Sequence, residues 1–188
     1  FAEDNNGTAV LLPALPALGA AKVRGRLVLG IGTKANNQLP PAARVLPVET
    51  NPLLSNYLYV STRVGQTDFP STYIDSGSNG LFFDDPAGMS LCAVAVGGEG
   101  QWFCPSTQQS RLATLTGADG TTASVNLEVV SANALFATTN VAFATLAGST
   151  GSANPGAFVW GLPFFYGRTV FTSIWEQPLA VNGPWYAF

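Results

Sequence analysis

With 188 residues, the chain is long enough for one domain that buries a core without metals or many disulfides. Its 8 Lys and Arg against 11 Asp and Glu leave a formal charge of -3, the wrong sign for a groove that neutralises nucleic-acid phosphates. Histidine is absent and there are 2 cysteines, which excludes Ser-His-Asp and Cys-His catalysis, imidazole ligation and four-thiolate zinc, so no metal or cofactor is expected.

From the start of the chain, Pro13 and Pro16 among Leu and Ala predict an extended arm over residues 1–20, fit for an edge strand or a linker. Asn6-Gly7-Thr8 matches the glycosylation acceptor pattern but reads first as a plain turn. From Val23 the odd positions Val23, Leu27, Leu29 and Ile31 alternate with Lys22, Arg24 and Arg26, the period of a half-buried strand. Shorter runs rich in β-branched and aromatic residues follow at Arg44–Val48, Asn56–Thr62, Phe69–Asp75 and Leu112–Thr116. Ala123, Val125, Leu127 and Val129 then alternate with Ser124, Asn126 and Glu128, and further runs lie at Asn140–Ala144 and Thr169–Ile174. Turn clusters separate these runs at Asn36-Asn37, Asn51-Pro52, Gly97-Gly98, Gly117–Gly120 and Gly148–Gly156. An all-β barrel or sandwich follows.

Two places break the pattern. Asp84-Asp85-Pro86 predicts a short helix with Asp85 as its cap, and Leu162–Gly167 predicts one helical turn ending at glycine. No repeat or linker divides residues 1–188. No apolar run approaches the roughly 20 residues that span a bilayer. Phe158–Tyr166, the most apolar stretch, is interrupted by Gly161 and Pro163. The chain begins at Phe1 rather than Met, so an upstream portion is expected. Cys92 and Cys104 flank a short Gly-rich stretch that a disulfide can close; two buried thiols are the alternative. Few lysines and a possible disulfide point to an exported protein.

The segment that carries chemistry is Ser71-Thr72-Tyr73-Ile74-Asp75-Ser76-Gly77-Ser78-Asn79-Gly80-Leu81-Phe82-Phe83. An apolar strand runs into Asp-Ser-Gly-Ser and another apolar stretch leaves it. Gly77 lets the backbone turn so that its amide points back at Asp75, and Ser78 can donate to the outer carboxylate oxygen. Such donors lock the rotamer of an acid–base group. Asp, Ser and Gly are also ordinary turn residues. A second segment, Val159-Trp160-Gly161 followed by Leu162-Pro163-Phe164-Phe165, lies near the other end and by itself reads as plain core.

Together and in this order, the two segments make the chain similar to the aspartic proteases of pepsin type, in particular to the C-terminal lobe of the two-lobed enzymes. It also resembles an uncharacterised family of exported bacterial proteins. These carry Asp-Thr-Gly-Ser in one half and Ile-Asp-Ser-Gly-Ser-Asn-Gly-Leu-Phe-Phe in the other. The likeness runs from Asp4-Asn5-Asn6-Gly7 through Ile74–Phe83, Cys92, Cys104-Pro105 and Gly161–Arg168 to Gly183–Phe188. It implies an acid-protease barrel lobe with a ψ-shaped loop and one or two short helices. Asp75 would be one of two catalytic aspartates, with Ser76 bracing the loop against its counterpart. Gly77 would supply backbone geometry, Ser78 a hydrogen bond, and Val159, Trp160 and Gly161 the supporting strand.

Asn79-Gly80 departs from the common pepsin pattern, where a hydroxyl residue often follows, and Leu162 replaces a polar residue. The implied reaction is peptide hydrolysis by a water activated between two carboxylates about 3 Å apart. Asp84 and Asp85 lack the following glycine and hydroxyl, so the second Asp must come from an N-terminal lobe outside this chain or, as the weaker option, from a second copy. The isolated chain is expected to be inactive. Phe82, Phe83, Trp102 and Phe103 are candidates for lining a peptide cleft, though such residues more often build core. The alternatives are a non-catalytic binding or structural module on the same fold and, more weakly, a carbohydrate-binding domain with a flat row of Trp and Tyr.

Overall fold

The computed structural model describes residues 2–93, 101–151, 154–174 and 183–188. In chain order the first strands are β1 (Gly7–Leu12), β2 (Arg26–Leu29), β3 (Val45–Pro47), β4 (Val60–Val64) and β5 (Thr67–Ile74). Next come β6 (Leu81–Phe82), β7 (Gln101–Trp102), β8 (Gln109–Thr116), β9 (Thr122–Val129) and helix α1 (Ala132–Phe136). The chain continues through β10 (Ala147–Ser149), β11 (Ala157–Trp160), helix α2 (Leu162–Phe165), β12 (Arg168–Ser173) and β13 (Trp185–Ala187). The fold is all-β with two short helices.

Two sheets result. A five-stranded antiparallel sheet runs β2-β1-β12-β13-β3, and an eight-stranded sheet runs β7-β10-β6-β11-β5-β4-β8-β9. The β8–β9 hairpin shows how directly sequence makes structure. Ala123, Val125, Leu127 and Val129 are buried, while the alternate residues of β9 face water. Its turn closes with the Gly120 N–H on the Gly117 carbonyl at 3.0 Å, and Asp119 Oδ1 accepts the Thr121 N–H at 2.9 Å. The main core draws on both sheets, with Leu46 of β3 beside Leu115, Phe83, Phe158 and Trp160, all almost fully buried.

Several expectations are corrected. The strand expected from Val23 is only β2, and its phase is inverted: Leu27 and Leu29 are exposed, while Val28 packs inward. Register explains this. Val28 pairs with Ala9, which belongs to the small cluster of Ile31, Phe171, Trp185 and Ala187, so the opposite set of β2 side chains must point out. Within the N-terminal stretch read as an arm, β1 is an interior strand between β2 and β12. Asn6 is no plain turn and no free acceptor. It is buried, its Nδ2 donates to the Ile31 carbonyl at 2.9 Å, and its Oδ1 accepts the Ile31 N–H at 2.8 Å.

The run Asn56–Thr62 pairs only from Val60 onward, because residues before it turn. Asn140–Ala144 makes no strand; Ala142 forms a single bridge with Ala20, and Val141 is exposed. The pairing falls instead to Ala147–Ser149, so Gly148 sits in a strand rather than a turn. Asp84–Pro86 starts a turn, not a helix: Gly88 adopts φ +70° and its N–H bonds the Asp85 carbonyl at 3.0 Å. Helix α1 is unexpected, since five residues are too few to display a helical period; Ala132 and Leu135 form its buried side. Gly97-Gly98 lies outside the described residues.

The burial phase of the hairpin gives a direct test. Leu127 is 1% exposed and Leu112 is 62% exposed. Leu127→Ala is expected to cost about 2–5 kcal/mol in urea unfolding and Leu112→Ala no more than about 0.5 kcal/mol.

Candidate functional site

Strand β11 sits between β5 and β6, two strands adjacent in sequence, parallel to β5 and antiparallel to β6. The loop joining β5 to β6 must therefore pass over the end of β11. That loop is Asp75–Gly80. The Asp75 N–H continues the parallel ladder onto the Trp160 carbonyl at 2.9 Å, and the Leu162 N–H closes the other side on the Ser78 carbonyl at 2.7 Å. At the crossing, a Cβ placed on Gly161 would lie 2.0 Å from the Gly80 carbonyl oxygen and 2.7 Å from that of Ser78. Only glycine fits between these backbones.

The carboxylate of Asp75 is half-buried and held at both oxygens. The Gly77 N–H donates to Oδ1 at 2.8 Å and the Ser78 hydroxyl to Oδ2 at 2.7 Å. Ser76 is exposed on the same loop. Beneath the loop, the Trp160 indole N–H donates to the buried Thr62 hydroxyl at 3.0 Å. The Trp160 ring stacks on Phe158 at 4.5 Å, and Phe158 stacks on Phe83 at 4.8 Å. This column of rings gives the loop a rigid floor. Val159 pairs with both Tyr73 and Phe82.

Other candidates fall elsewhere. Asp84 accepts the Ser149 hydroxyl, while Asp85 accepts the Met89 N–H at 3.0 Å and faces Arg111 at 3.9 Å. Phe83, Trp102 and Phe103 are buried and build core, while Phe82 is partly buried and packs on Trp102 at 5.4 Å. Trp102, Trp160 and Trp185 are buried, leaving no flat tryptophan row among the described residues. Cys92 and Cys104 form a disulfide with Cα atoms 4.8 Å apart, deciding between the two alternatives.

Three tyrosines beside Asp75 were not anticipated. Tyr73 lies two residues before it on β5, so the two share a strand face. Tyr59 stands across from Tyr73 with ring centroids 5.8 Å apart. It is delivered by Leu58, whose φ of +66° is rare for a branched residue and whose N–H bonds the Glu49 carbonyl at 2.6 Å. Tyr186 comes from β13, with a hydrogen bond from the Ile74 backbone at its hydroxyl. Burial first, then neighbouring charge including that of Asp75, holds the Tyr73 and Tyr186 hydroxyls above their ordinary ionisation range. A spacing of two from Asp75 is a signal for Tyr73; Tyr59 and Tyr186 have no sequence signal. Chemically, the arrangement offers a fixed carboxylate that accepts hydrogen bonds, rimmed by phenol donors.

Two outcomes are expected. Gly161→Ala destabilises by about 3 kcal/mol or more in denaturant unfolding, since backbone rather than a flexible side chain occupies the space. Asp75→Asn removes a negative charge, so Tyr73 and Tyr186 ionise at lower pH, read as an earlier rise of tyrosinate absorbance in alkaline titration.

A search of curated proteins gives no match. The family model described as "Protein of unknown function (DUF3443)" matches residues 1–188, and the chain belongs to that family.

Proposed function

We propose that Asp75 is one carboxylate of an aspartic-endopeptidase-type pair, completed by an Asp from outside these 188 residues, and that the assembled pair hydrolyses peptide bonds. The observation that carries this reading is the crossing itself: a carboxylate gripped at both oxygens by its own loop, on a strand crossover that only Gly161 permits. A rigid floor matters because acid–base catalysis needs the group within hydrogen-bond reach of one water in one orientation. In the pair, one carboxylate takes a proton from the water as it attacks the peptide carbonyl, and the protonated partner donates to that carbonyl oxygen. Ser76, exposed beside Asp75, would brace the counterpart loop.

The expected source of the second Asp is an N-terminal lobe; a second copy of the chain is the lesser option. The Cys92–Cys104 disulfide supports an exported setting, where such bonds persist. Among the described residues no helix is long and apolar enough to cross a membrane. A non-catalytic peptide-binding module is the second reading, favoured by Tyr59, Tyr73 and Tyr186 around Asp75, an aromatic and hydrogen-bonding surface of the kind interfaces use.

The test follows cleavage of an unfolded protein from acidic to neutral pH. The 188-residue chain alone is expected to give none. The parent protein carrying a second apolar-Asp-[Ser/Thr]-Gly is expected to cleave, with Asp75→Asn reducing the rate about 10²–10⁴-fold. Cleavage indifferent to Asp75→Asn, or a parent with no second motif and no dimer, would overturn the proposal. Peptide binding retained by a cleavage-incompetent parent would favour the second reading.

A further inference from the structure

The Asp75 loop is also held at its far end. The carbonyl oxygen of Gly80, its last residue, occupies the space that a Cβ on Gly161 would need. A Cβ on Gly80 itself would stand 2.8 Å from Cζ3 and 3.3 Å from Cη2 of Trp102. Trp102 is 5% exposed and packs on Phe82 at 5.4 Å. Close-packed neighbours transmit displacement, so whatever seats this indole also seats the end of the loop.

Trp102 belongs to β7, a strand of two residues at the edge of the large sheet, paired on its sheet side with β10. Its buried indole N–H finds no acceptor among the described residues, so packing rather than a side-chain hydrogen bond fixes the ring. On its other side runs the stretch Ser90–Cys92. The Cys92 N–H donates to the Trp102 carbonyl at 2.9 Å, the Cys104 N–H donates to the Ser90 carbonyl at 2.7 Å, and Leu91 bridges Phe103. The Cys92–Cys104 disulfide clasps these two stretches together. Both sulfur-bearing residues pack against the cluster of Trp102, Ala132, Leu135, Phe143 and Leu146. A ladder this short contributes little by itself, whereas a cross-link restricts the chain between the cysteines in every state and so favours the seated arrangement.

We propose that closure of the Cys92–Cys104 bond is the step that orders the Asp75 loop, which stays loose under reducing conditions and sets once the chain meets an oxidising compartment. The bond closes by thiol–disulfide exchange: the two cysteine thiols give up two electrons and two protons, and an external disulfide that accepts them becomes two thiols. Trp102 is then seated against Gly80, and Gly80 against the crossing at Gly161. As regulation of a catalytic site this rests on the peptidase reading of Asp75; the ordering itself does not.

The test is amide hydrogen exchange, followed by NMR on the 188-residue chain in its oxidised form and after reduction with dithiothreitol. The amides of Asp75, Gly77 and Leu162, bonded to Trp160, Asp75 and Ser78, are expected to exchange at least about tenfold faster after reduction. Those of the β8–β9 hairpin are expected to stay unchanged, and oxidised glutathione should restore protection at the loop. Cys92→Ser with Cys104→Ser should match the reduced chain, and it decides alone if dithiothreitol leaves the bond closed. Trp102→Leu with the bond intact should speed the same amides, because the route runs through the indole. Equal exchange in open and closed forms, an equal acceleration in β8–β9, or an unaffected loop in Trp102→Leu would overturn the proposal. No readout here needs a second Asp or a cleaved substrate, so this proposal and the peptidase reading fail separately.

Discussion

At Gly161, two backbones pass closer than any side chain allows. The carbonyls of Ser78 and Gly80 lie over the end of β11, and the Leu162 N–H is bonded to the Ser78 oxygen. That crossing fixes the order β6-β11-β5 in the large sheet, because β11 can enter between consecutive strands only if their connecting loop arches over it. It also fixes Asp75, since the ladder that ends at Trp160 hands its last hydrogen bond to the Asp75 amide. Turn chemistry then orients the carboxylate with two donors that come from its own loop.

The floor under the crossing is aromatic rather than aliphatic. Phe83, Phe158, Trp160 and Phe164 contact one another in sequence, and Trp160 satisfies its indole N–H on Thr62 from β4. A wide ring has few rotamers to lose and, with its polar edge paired, adds no buried unsatisfied group. The smaller sheet adds polar ties to its own apolar cluster, through the reciprocal bonds of Asn6 with Ile31 and the contact of Asp4 with Thr33 and Lys34. In so sparsely charged a chain, charge is used locally. The carboxylate of Asp75 stands beside Tyr73 of the large sheet and Tyr186 of the small one, while the Arg168 guanidinium is held over the Phe164 ring.

Much of this was legible residue by residue. The alternation of Ala123–Val129 yields β9 because a hairpin with one buried face obeys a period of two whatever surrounds it. The bonds of Gly77 and Ser78 to Asp75 span two and three residues, so local turn chemistry suffices to anticipate them. The helical turn at Leu162–Phe165 likewise follows from Gly161, Pro163 and Gly167.

What the chain order determined by itself, then, was the class of fold, the hairpins and the internal geometry of the Asp75 loop, all set by interactions between near neighbours. Only tertiary structure decided the outward phase of Leu27 and Leu29, the bridge rather than strand at Ala142, the burial of Phe83, Trp102 and Phe103, and the meeting of Tyr59, Tyr73 and Tyr186. Each of these depends on which strand lies beside which, and sheet order is set by packing between segments far apart in the chain, where no local pattern reaches.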